Sequence, residues 1–267
     1  MTFRLRIMLA VLIAVVGFSA ALAQGDHGHH GGNDDSGFTL PRIAGALFED
    51  TAAAARGFWR SLGIISVADD IDSPYTSLPH SRTEDGAFVL GDPAAPVTII
   101  EFADFGCPHC QTYKSTIDQL VDQYVATGMA RLEYRSFPTA GGAITEFASK
   151  VQECAEQQRP GAYWDAYVLY YDLALMGRFN DDAHRTVARE LGLSYSDILQ
   201  CTETASQVRN DVNFGVANGV AGTPAVMIRI GDGDAQWIVY GGVTYNRGGV
   251  PFEVLAAVIE SFQGEGA

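Results

Sequence analysis

The pattern of apolar and polar positions from Thr83 onward predicts a mixed α/β domain. Residues 97–102 form a β-branched, apolar run, which is typical of a strand buried at the centre of a sheet. A helix is predicted from about Pro108, because the apolar residues after it recur at intervals of three and four. These apolar residues are Ile117, Leu120, Val121, Tyr124 and Val125. Gly128 then ends the helix.

The rest of the domain continues as strands and helices separated by turn residues. The remaining predicted elements are a strand at Phe88–Leu90, a strand at residues 130–137, several helices from Gly142 to about Leu199, a helix from near Thr202, a hairpin at Ala225–Ile230 and residues 237–240, and a last helix after Pro251. The predicted order is therefore strand–helix–strand, then helices, then a hairpin and a helix.

The first 23 residues are typical of an export signal. Arg4 and Arg6 form a short basic region, and residues 7–18 are almost wholly apolar. Residues 21–23 then supply the small residues of a signal-peptidase site, so we expect cleavage after Ala23. The alternative is an uncleaved anchor, which the shortness of the apolar run disfavours. Export would let disulfides persist, so the cysteines can pair.

Two further segments precede the domain. Residues 24–37 are rich in Gly, Asp and His, which predicts a flexible linker, and they include His27, His29 and His30. Clustered histidines can bind transition metals, but a solvated tether is the favoured interpretation because no scaffold fixes them.

Residues 38–82 are predicted as an N-terminal helical extension followed by a second linker. The alanine-rich stretch at 43–62 favours a helix, and the prolines and serines at 69–81 favour the linker. The domain is therefore placed at residues 83–263.

Composition narrows the class of protein. The chain has 267 residues, 17 of them basic and 32 acidic, with a net charge of −15. An apolar share of 47% suits a globular protein rather than a disordered one. Nucleic acid is an unsuitable partner for so acidic a chain, because phosphates need clustered Lys and Arg.

The motif that carries chemistry is Cys107-Pro108-His109-Cys110, directly after the predicted central strand. The start of a helix favours a thiolate at Cys107, through unpaired N–H groups and a partial positive charge. His109 adds positive charge nearby, and Cys110 can donate a hydrogen bond. Because two residues separate the cysteines, their sulfurs can close a disulfide. A pair whose reduced form is stabilised in this way is an oxidant.

Three other roles for the motif are disfavoured by the sequence. A zinc site needs a second pair of ligands, and no second C-x-x-C or H-x-x-H follows. Haem attachment needs His after the second cysteine, where Gln111 stands. A purely structural disulfide is also disfavoured, so a redox role is favoured, with no metal and no cofactor expected.

Two features elsewhere support the redox interpretation. Glu101 lies six residues before Cys107 in the apolar strand, and alternation points its side chain beneath the motif. A buried carboxyl there can exchange a proton with Cys110; the alternative is a strand-end acid that reaches water. Thr223-Pro224 precedes a predicted strand, where a cis X-Pro bond would present backbone groups to a bound chain.

Cys154 and Cys201 are left to pair with each other if the motif cysteines pair. Both lie in the predicted helical segment, so we interpret them as a structural disulfide. Two buried free thiols or a second relay pair are the alternatives.

Residues 91–110 and 219–224 closely resemble the DsbA-like branch of the thioredoxin superfamily, the second run being similar to its cis-proline loop. The resemblance implies an α/β thioredoxin fold with a helical insertion at about residues 142–218. It implies that Cys107 is the nucleophile and Cys110 the resolving cysteine.

The same resemblance implies that Glu101 is the buried acid and that Pro224, with Thr223 before it, is the cis-proline. It also implies a membrane partner that reoxidises the pair by using a quinone.

The leading hypothesis is an exported, periplasmic or extracytoplasmic oxidase that forms disulfides in unfolded or partly folded client proteins with free thiols. A disulfide isomerase or reductase of the same fold is the first alternative. A metal-handling module, which would combine the His27, His29 and His30 cluster with Cys107 and Cys110, is the second.

Overall fold

A seven-stranded sheet forms the centre of residues 74–262, the part of the chain that the computed structural model describes. The predicted signal at 1–23, the linker at 24–37 and the helix at 43–62 lie outside the described residues.

The secondary structure follows the predicted order with one more strand at each end of the sheet. The strands are β1 His80–Arg82, β2 Phe88–Leu90, β3 Val97–Ala103, β4 Ala130–Ser136, β5 Ala225–Ile230, β6 Gln236–Tyr240 and β7 Val243–Tyr245. The helices are α1 Pro74–Ser77, α2 Pro108–Leu120, α3 Gly142–Gln158, α4 Ala162–Leu175, α5 Ala183–Glu190, α6 Tyr195–Thr202, α7 Gln207–Ala217 and α8 Phe252–Ser261. A π-helical turn, Val121–Val125, extends α2.

The sheet has the order β1-β2-β4-β3-β5-β6-β7, which puts β3 at its centre. The pair β3–β4 is parallel, with α2 as the crossover helix between the two strands, and β5 runs antiparallel on the other side of β3. All seven residues of β3 are buried, as its apolar run predicts. The α/β thioredoxin fold with a helical insertion is confirmed, since α3 to α7 all fall between β4 and β5.

The side chains of β3 point alternately to the two faces of the sheet, and each face packs against a separate hydrophobic cluster. Ile99 and Ala103 face the larger cluster, which contains both motif cysteines and the aromatic residues of α4. Ile100 and Phe102 face a smaller cluster on the other side of the sheet. Glu101 shares the face of Ile99 and Ala103, so it lies on the motif side of the strand.

The prediction of a linker at residues 69–81 is wrong for the second half of that segment. Pro74–Ser77 is a helical turn, and His80–Arg82 pairs antiparallel with β2. Tyr75 is only 2% exposed and packs on the rings of Trp164 and Tyr167. Pro74 indicated a break in structure, yet it stands at the first helical position, where its missing N–H costs nothing. The sheet therefore begins before Thr83.

Two smaller differences concern helix and strand limits. The helix predicted from near Thr202 begins at Gln207, because Thr202 ends the preceding helix. The short edge strand Val243–Tyr245, paired with β6, was not predicted. Three residues next to glycines carry too little periodicity to indicate a strand.

A disulfide between Cys154 of α3 and Cys201 of α6 joins two helices of the insertion. The two residues are 47 positions apart, and the chain-entropy relation gives roughly 4 kcal/mol of stabilisation for a loop of that length. Cys154 is 1% exposed, which limits access by reductants.

We predict that Cys154–Cys201 stays oxidised when a mild reductant opens Cys107–Cys110, because the first lies inside the helical insertion and the second at a helix start. Differential alkylation followed by peptide mapping measures both pairs in one sample. Cys154 found joined to either motif cysteine would contradict this pairing.

Candidate active site

The turn between β3 and α2 places the motif at the start of the helix. Cys107 has an extended backbone and precedes the first helical residue, Pro108, whose ring suits that position. The Cys107 N–H donates to the Asp104 carbonyl at 3.0 Å, and the Gly106 N–H donates to the Asp104 carboxylate at 2.8 Å. Cys107 therefore stands at the unpaired, partly positive end of α2.

The two motif cysteines differ in access to solvent. Cys107 is 5% exposed, whereas Cys110, one turn along α2, is fully buried. Both are thiols in the structure, and His109 between them is exposed. Burial raises the pKa of the Cys110 thiol, and the opposing hydrogen bond from Thr223 is the weaker influence. Cys110 is therefore held as a neutral thiol, while Cys107 is the sulfur within reach of another chain.

The loop before β5 lies directly against Cys107. The Cys107 thiol donates to the carbonyl oxygen of Thr223 at 3.4 Å, and the Thr223–Pro224 peptide bond is cis. The structure thus brings together the motif and the two residues predicted as the substrate-binding pair, which are more than 110 positions apart in the chain. A peptide lying beside Thr223 would pass Cys107.

Asp104 and Thr139 complete this arrangement and were not singled out in the sequence. The Thr139 and Thr223 hydroxyls share a hydrogen bond of 2.7 Å. The fully buried Asp104 carboxylate accepts from the Thr139 N–H at 2.7 Å and from the Gly141 N–H at 2.9 Å. A Cβ at Gly106 would lie 2.4 Å from the Gly141 Cα, so this close approach requires glycine. The sequence signal that could have identified Asp104 is an acidic residue at the end of a predicted buried strand.

Glu101 lies under the motif and has no exposed surface. The Tyr167 hydroxyl donates to its Oε2 at 3.4 Å, and its Oε1 has no hydrogen-bond partner among the described residues. Burial raises the pKa of Glu101 to about 8, although the positive charge of Lys114 opposes this. The alternative of a solvated strand-end acid is therefore wrong.

Lys114 is a further buried charge near Glu101 that the sequence analysis did not select. It stands one turn after Cys110, it is 8% exposed, and its ammonium group is paired with the Asp118 carboxylate. Its Nζ also lies 4.7 Å from the ring centre of Tyr75 and 5.3 Å from that of Tyr167. The available signal was its i+4 spacing from Cys110, which places both on the buried side of α2.

A groove runs beside the motif between α2 and the loops before β5 and α8. It is lined by His109, Tyr113, Thr223, Pro224, Val250 and Pro251, among others. The Tyr113 hydroxyl donates to the Val250 carbonyl at 2.7 Å and accepts from the Val250 N–H at 3.1 Å, which fixes one wall. Its mixed lining suits an extended peptide with apolar side chains.

The described residues contain no cluster of metal ligands. Within residues 74–262 no three His, Cys, Asp or Glu side chains come together as a metal site. His27, His29 and His30 lie outside these residues. In the same part of the chain every helix is too short or too polar to span a bilayer.

We predict that the unfolding free energy of the reduced protein falls as pH rises from about 4.5 to 8. The folded state keeps the Glu101 proton up to a pKa of about 8, whereas the unfolded chain releases it near 4.5. The folded state thus binds up to one more proton in this window, so the unfolding free energy falls by up to about 1.4 kcal/mol per pH unit.

Denaturant melts across this pH range test the effect with Glu101→Gln, which should remove the Glu101 contribution to the slope. The raised pKa of buried Asp211, about 7, and the lowered pKa of His184, about 4, add contributions of opposite sign that the variant keeps. The exposed Glu253→Gln is the matched control and should keep it. An unchanged slope in Glu101→Gln would show that other groups produce it.

We predict that Thr139→Val slows attack of a client thiolate on Cys107 by about fivefold, the value of one net hydrogen bond. The change keeps the side-chain shape and removes the bond to Thr223 beside Cys107; the bond that the same hydroxyl donates to Asp104 Oδ2 is lost as well, while the Thr139 N–H still donates to that oxygen. Stopped-flow measurement of mixed-disulfide formation checks this, with Thr127→Val as the control, since that exposed hydroxyl bonds only to backbone carbonyls of its own turn and does not line the groove. Equal rates in both variants would remove Thr139 from the site.

Comparison with known proteins agrees with the fold and with the cysteine motif described above. Residues 83–232, more than half of the chain, match the Thioredoxin_4 family model, described as thioredoxin. The chain is 26% identical over 153 residues to a probable disulfide bond formation protein D of Bacillus anthracis, which covers 52% of this chain and 68% of that protein.

Two other similarities are to a longer membrane transporter and to a solved structure. The chain is 25% identical over 242 residues to the Na(+)/H(+) antiporter NhaA 3 of Salinispora tropica; this covers 85% of the chain and 35% of that protein, so the chain spans about a third of the antiporter's length. The crystal structure of Wolbachia pipientis α-DsbA1 superposes with a TM-score of 0.56 at 22% identity, covering 72% of this chain and 96% of that one. At that identity the likeness shows the fold.

Proposed function

Since the chain belongs to the thioredoxin family, as a DsbA-like thiol–disulfide oxidoreductase, we propose that it is an oxidase that introduces disulfide bonds into exported proteins. The observation that carries the proposal is the unequal placement of the two cysteines. Cys107 stands at a helix start beside the Thr223 carbonyl, and Cys110 is buried as a neutral thiol on the side of the sheet that holds Glu101.

In the first step, a client thiolate attacks the Cys107 sulfur of the oxidised pair. The bond between client and Cys107 forms, the Cys107–Cys110 bond breaks, and Cys110 leaves with the electron pair. Because burial disfavours the Cys110 thiolate, this sulfur takes a proton as it leaves. Glu101, which still holds its proton at neutral pH, is the proposed donor.

In the second step, another client thiolate attacks the client sulfur of the mixed disulfide. The client disulfide forms, and Cys107 leaves with the electron pair as a thiolate. The start of α2 and the nearby His109 stabilise that charge. The client is thus oxidised by two electrons, and the Cys107–Cys110 pair is reduced by two.

Client binding is proposed to use the backbone beside Thr223-Pro224 and the groove along α2. The Thr223 carbonyl lies against Cys107, and Pro224 has no N–H to donate. An extended client segment that lies beside Thr223 would therefore have its cysteine next to Cys107. Clients are proteins with free thiols, because thiol–disulfide exchange consumes thiolates.

The proposed place of work is outside the cytoplasm, after cleavage of the signal at residues 1–23. Disulfides persist in such compartments. Each turnover leaves a reduced pair, so a partner must reoxidise it; we propose a quinone-linked membrane protein, as the DsbA-like resemblance implies.

We predict that equilibrium titration of Cys107–Cys110 against glutathione gives a potential nearer to about −120 mV than to thioredoxin's value of about −270 mV. His109→Ser should make the pair less oxidising, because it removes the imidazole next to Cys107, which can stabilise the thiolate by hydrogen bonding or positive charge. Thr112→Ser, on the exposed side of the same helix, is the control. A potential near thioredoxin's would contradict the oxidase and favour the isomerase or reductase.

A further inference from the structure

A second cleft adjoins the groove along α2 at Thr223. Its volume is about 490 Å³, and Thr223 and Gly248 line both cavities. Because the Thr223 carbonyl lies against Cys107, an extended client segment that crosses Thr223 would reach the groove on one side of its cysteine and the cleft on the other. The remaining residues that line the cleft are Gly219, Ala221, Gly222, Ala225, Asn246 and Arg247.

The cleft has room for a client side chain. A Cβ placed on Gly219, Gly222 or Gly248 would meet no atom within 4 Å, so open space lies over this part of the backbone. Thr223, Asn246 and Arg247 supply its polar side chains. A client residue that enters the cleft therefore meets little steric hindrance and a small number of polar groups.

The backbone holds Arg247 at the edge of this cleft. The next residue, Gly248, forms a parallel bridge with Ala225, the first residue of β5. Two positions later, the N–H and the carbonyl of Val250 both hydrogen-bond to the Tyr113 hydroxyl. The segment that carries Arg247 is thus joined to the strand after the cis-proline and to α2, which fixes its place beside Thr223.

Arg247 is an exposed cation that the fold does not use. Within the described part of the chain, its guanidinium group has no ion-pair or hydrogen-bond partner. By contrast, Arg135 and Arg229 are both paired with the buried Glu133 carboxylate. A guanidinium group without an internal partner keeps its N–H donors available to a ligand.

The two cavities differ in charge from the rest of the protein. The chain has 32 acidic and 17 basic residues, yet no Asp or Glu of the described residues lines either cavity. His109 lines the groove and Arg247 lines the cleft. An acidic client segment would thus be repelled by the protein as a whole and attracted at this position.

We propose that Arg247 is a specificity-determining residue that binds a carboxylate side chain of the client, close in sequence to the reacting cysteine. This rests on the proposed function, because it concerns recognition of the client at the same site. The planar guanidinium group can donate two parallel N–H bonds to the two oxygens of a carboxylate. Clients with Asp or Glu beside the reacting cysteine are therefore selected over clients with a neutral residue there.

Pairs of synthetic peptides test this selection. Each peptide has one cysteine and blocked ends, so that no terminal carboxylate is present, and the members of a pair differ only in Glu or Gln near the cysteine. One pair carries this residue on the N-terminal side of the cysteine and a second pair carries it on the C-terminal side. The oxidised full-length protein is mixed with excess peptide, and acid-quenched samples give the initial rate of mixed-disulfide formation by mass spectrometry.

The quantity compared is the ratio of the rates for the Glu and Gln peptides. Glu also changes the reactivity of the peptide thiol itself, but this effect cancels when the ratios of two protein variants are compared. Arg247→Gln should lower the ratio about threefold for one of the two pairs, as expected for an exposed ion pair. The difference should shrink at high salt, because ions screen the charges.

Arg178→Gln is the matched control. Arg178 follows α4, is also exposed without an ion-pair partner among the described residues, and lines neither cavity. Its loss changes the net charge by the same amount and should keep the parental ratio.

A parental ratio in Arg247→Gln for both peptide pairs would overturn the proposal. An equal fall in Arg178→Gln would also overturn it, because the effect would then come from net charge. Failure of the proposed function gives a different result, namely a potential of the Cys107–Cys110 pair near that of thioredoxin. An isomerase or reductase forms the same mixed disulfide, so the ratio for Arg247 can be measured in either case.

Discussion

Burial of β3 on both faces is the constraint on which the rest of the structure depends. The strand is covered by helices on one side and by the smaller Phe102 cluster on the other, so its position and its alternation are fixed. Its end leads straight into the turn of Asp104 and the start of α2. The position of β3 therefore fixes both the burial of Glu101 and the location of Cys107 at the start of α2.

The parts of the site that could be predicted from the sequence depend on local signals. An apolar, β-branched run followed by Cys-x-x-Cys and a helical period fixes the order strand, motif, helix without knowledge of the rest of the fold. Alternation then places Glu101 on the face of Ala103, and the structure buries it there. Thr223-Pro224 was found in the same way, from its place before a predicted strand.

The parts that escaped prediction depend on contacts between distant segments. Asp104 reaches Thr139 across 35 positions, and Tyr75 reaches Tyr167 across more than 90. Composition near Tyr75 indicated a linker, because Pro and Ser weigh against regular structure when they are read alone. Packing of the Tyr75 ring on Trp164 and Tyr167 overrides that local preference, since a buried aromatic ring contributes more than a weak propensity opposes.

The polar groups in the core next to β3 are explained by the chemistry of Cys110. Cys107 meets other proteins, whereas the buried Cys110 can exchange only its partner sulfur and a proton. Phenylalanine would fill the space around Glu101 at less cost than tyrosine, because a buried hydroxyl must be desolvated. Tyr134 and Tyr171 carry that cost without a partner among the described residues. Tyr167 and Tyr75 offset it because their hydroxyls donate to the carboxylates of Glu101 and Asp118, respectively. The hydroxyls of Tyr167 and Tyr75 are therefore better explained by the carboxylates to which they donate than by packing alone.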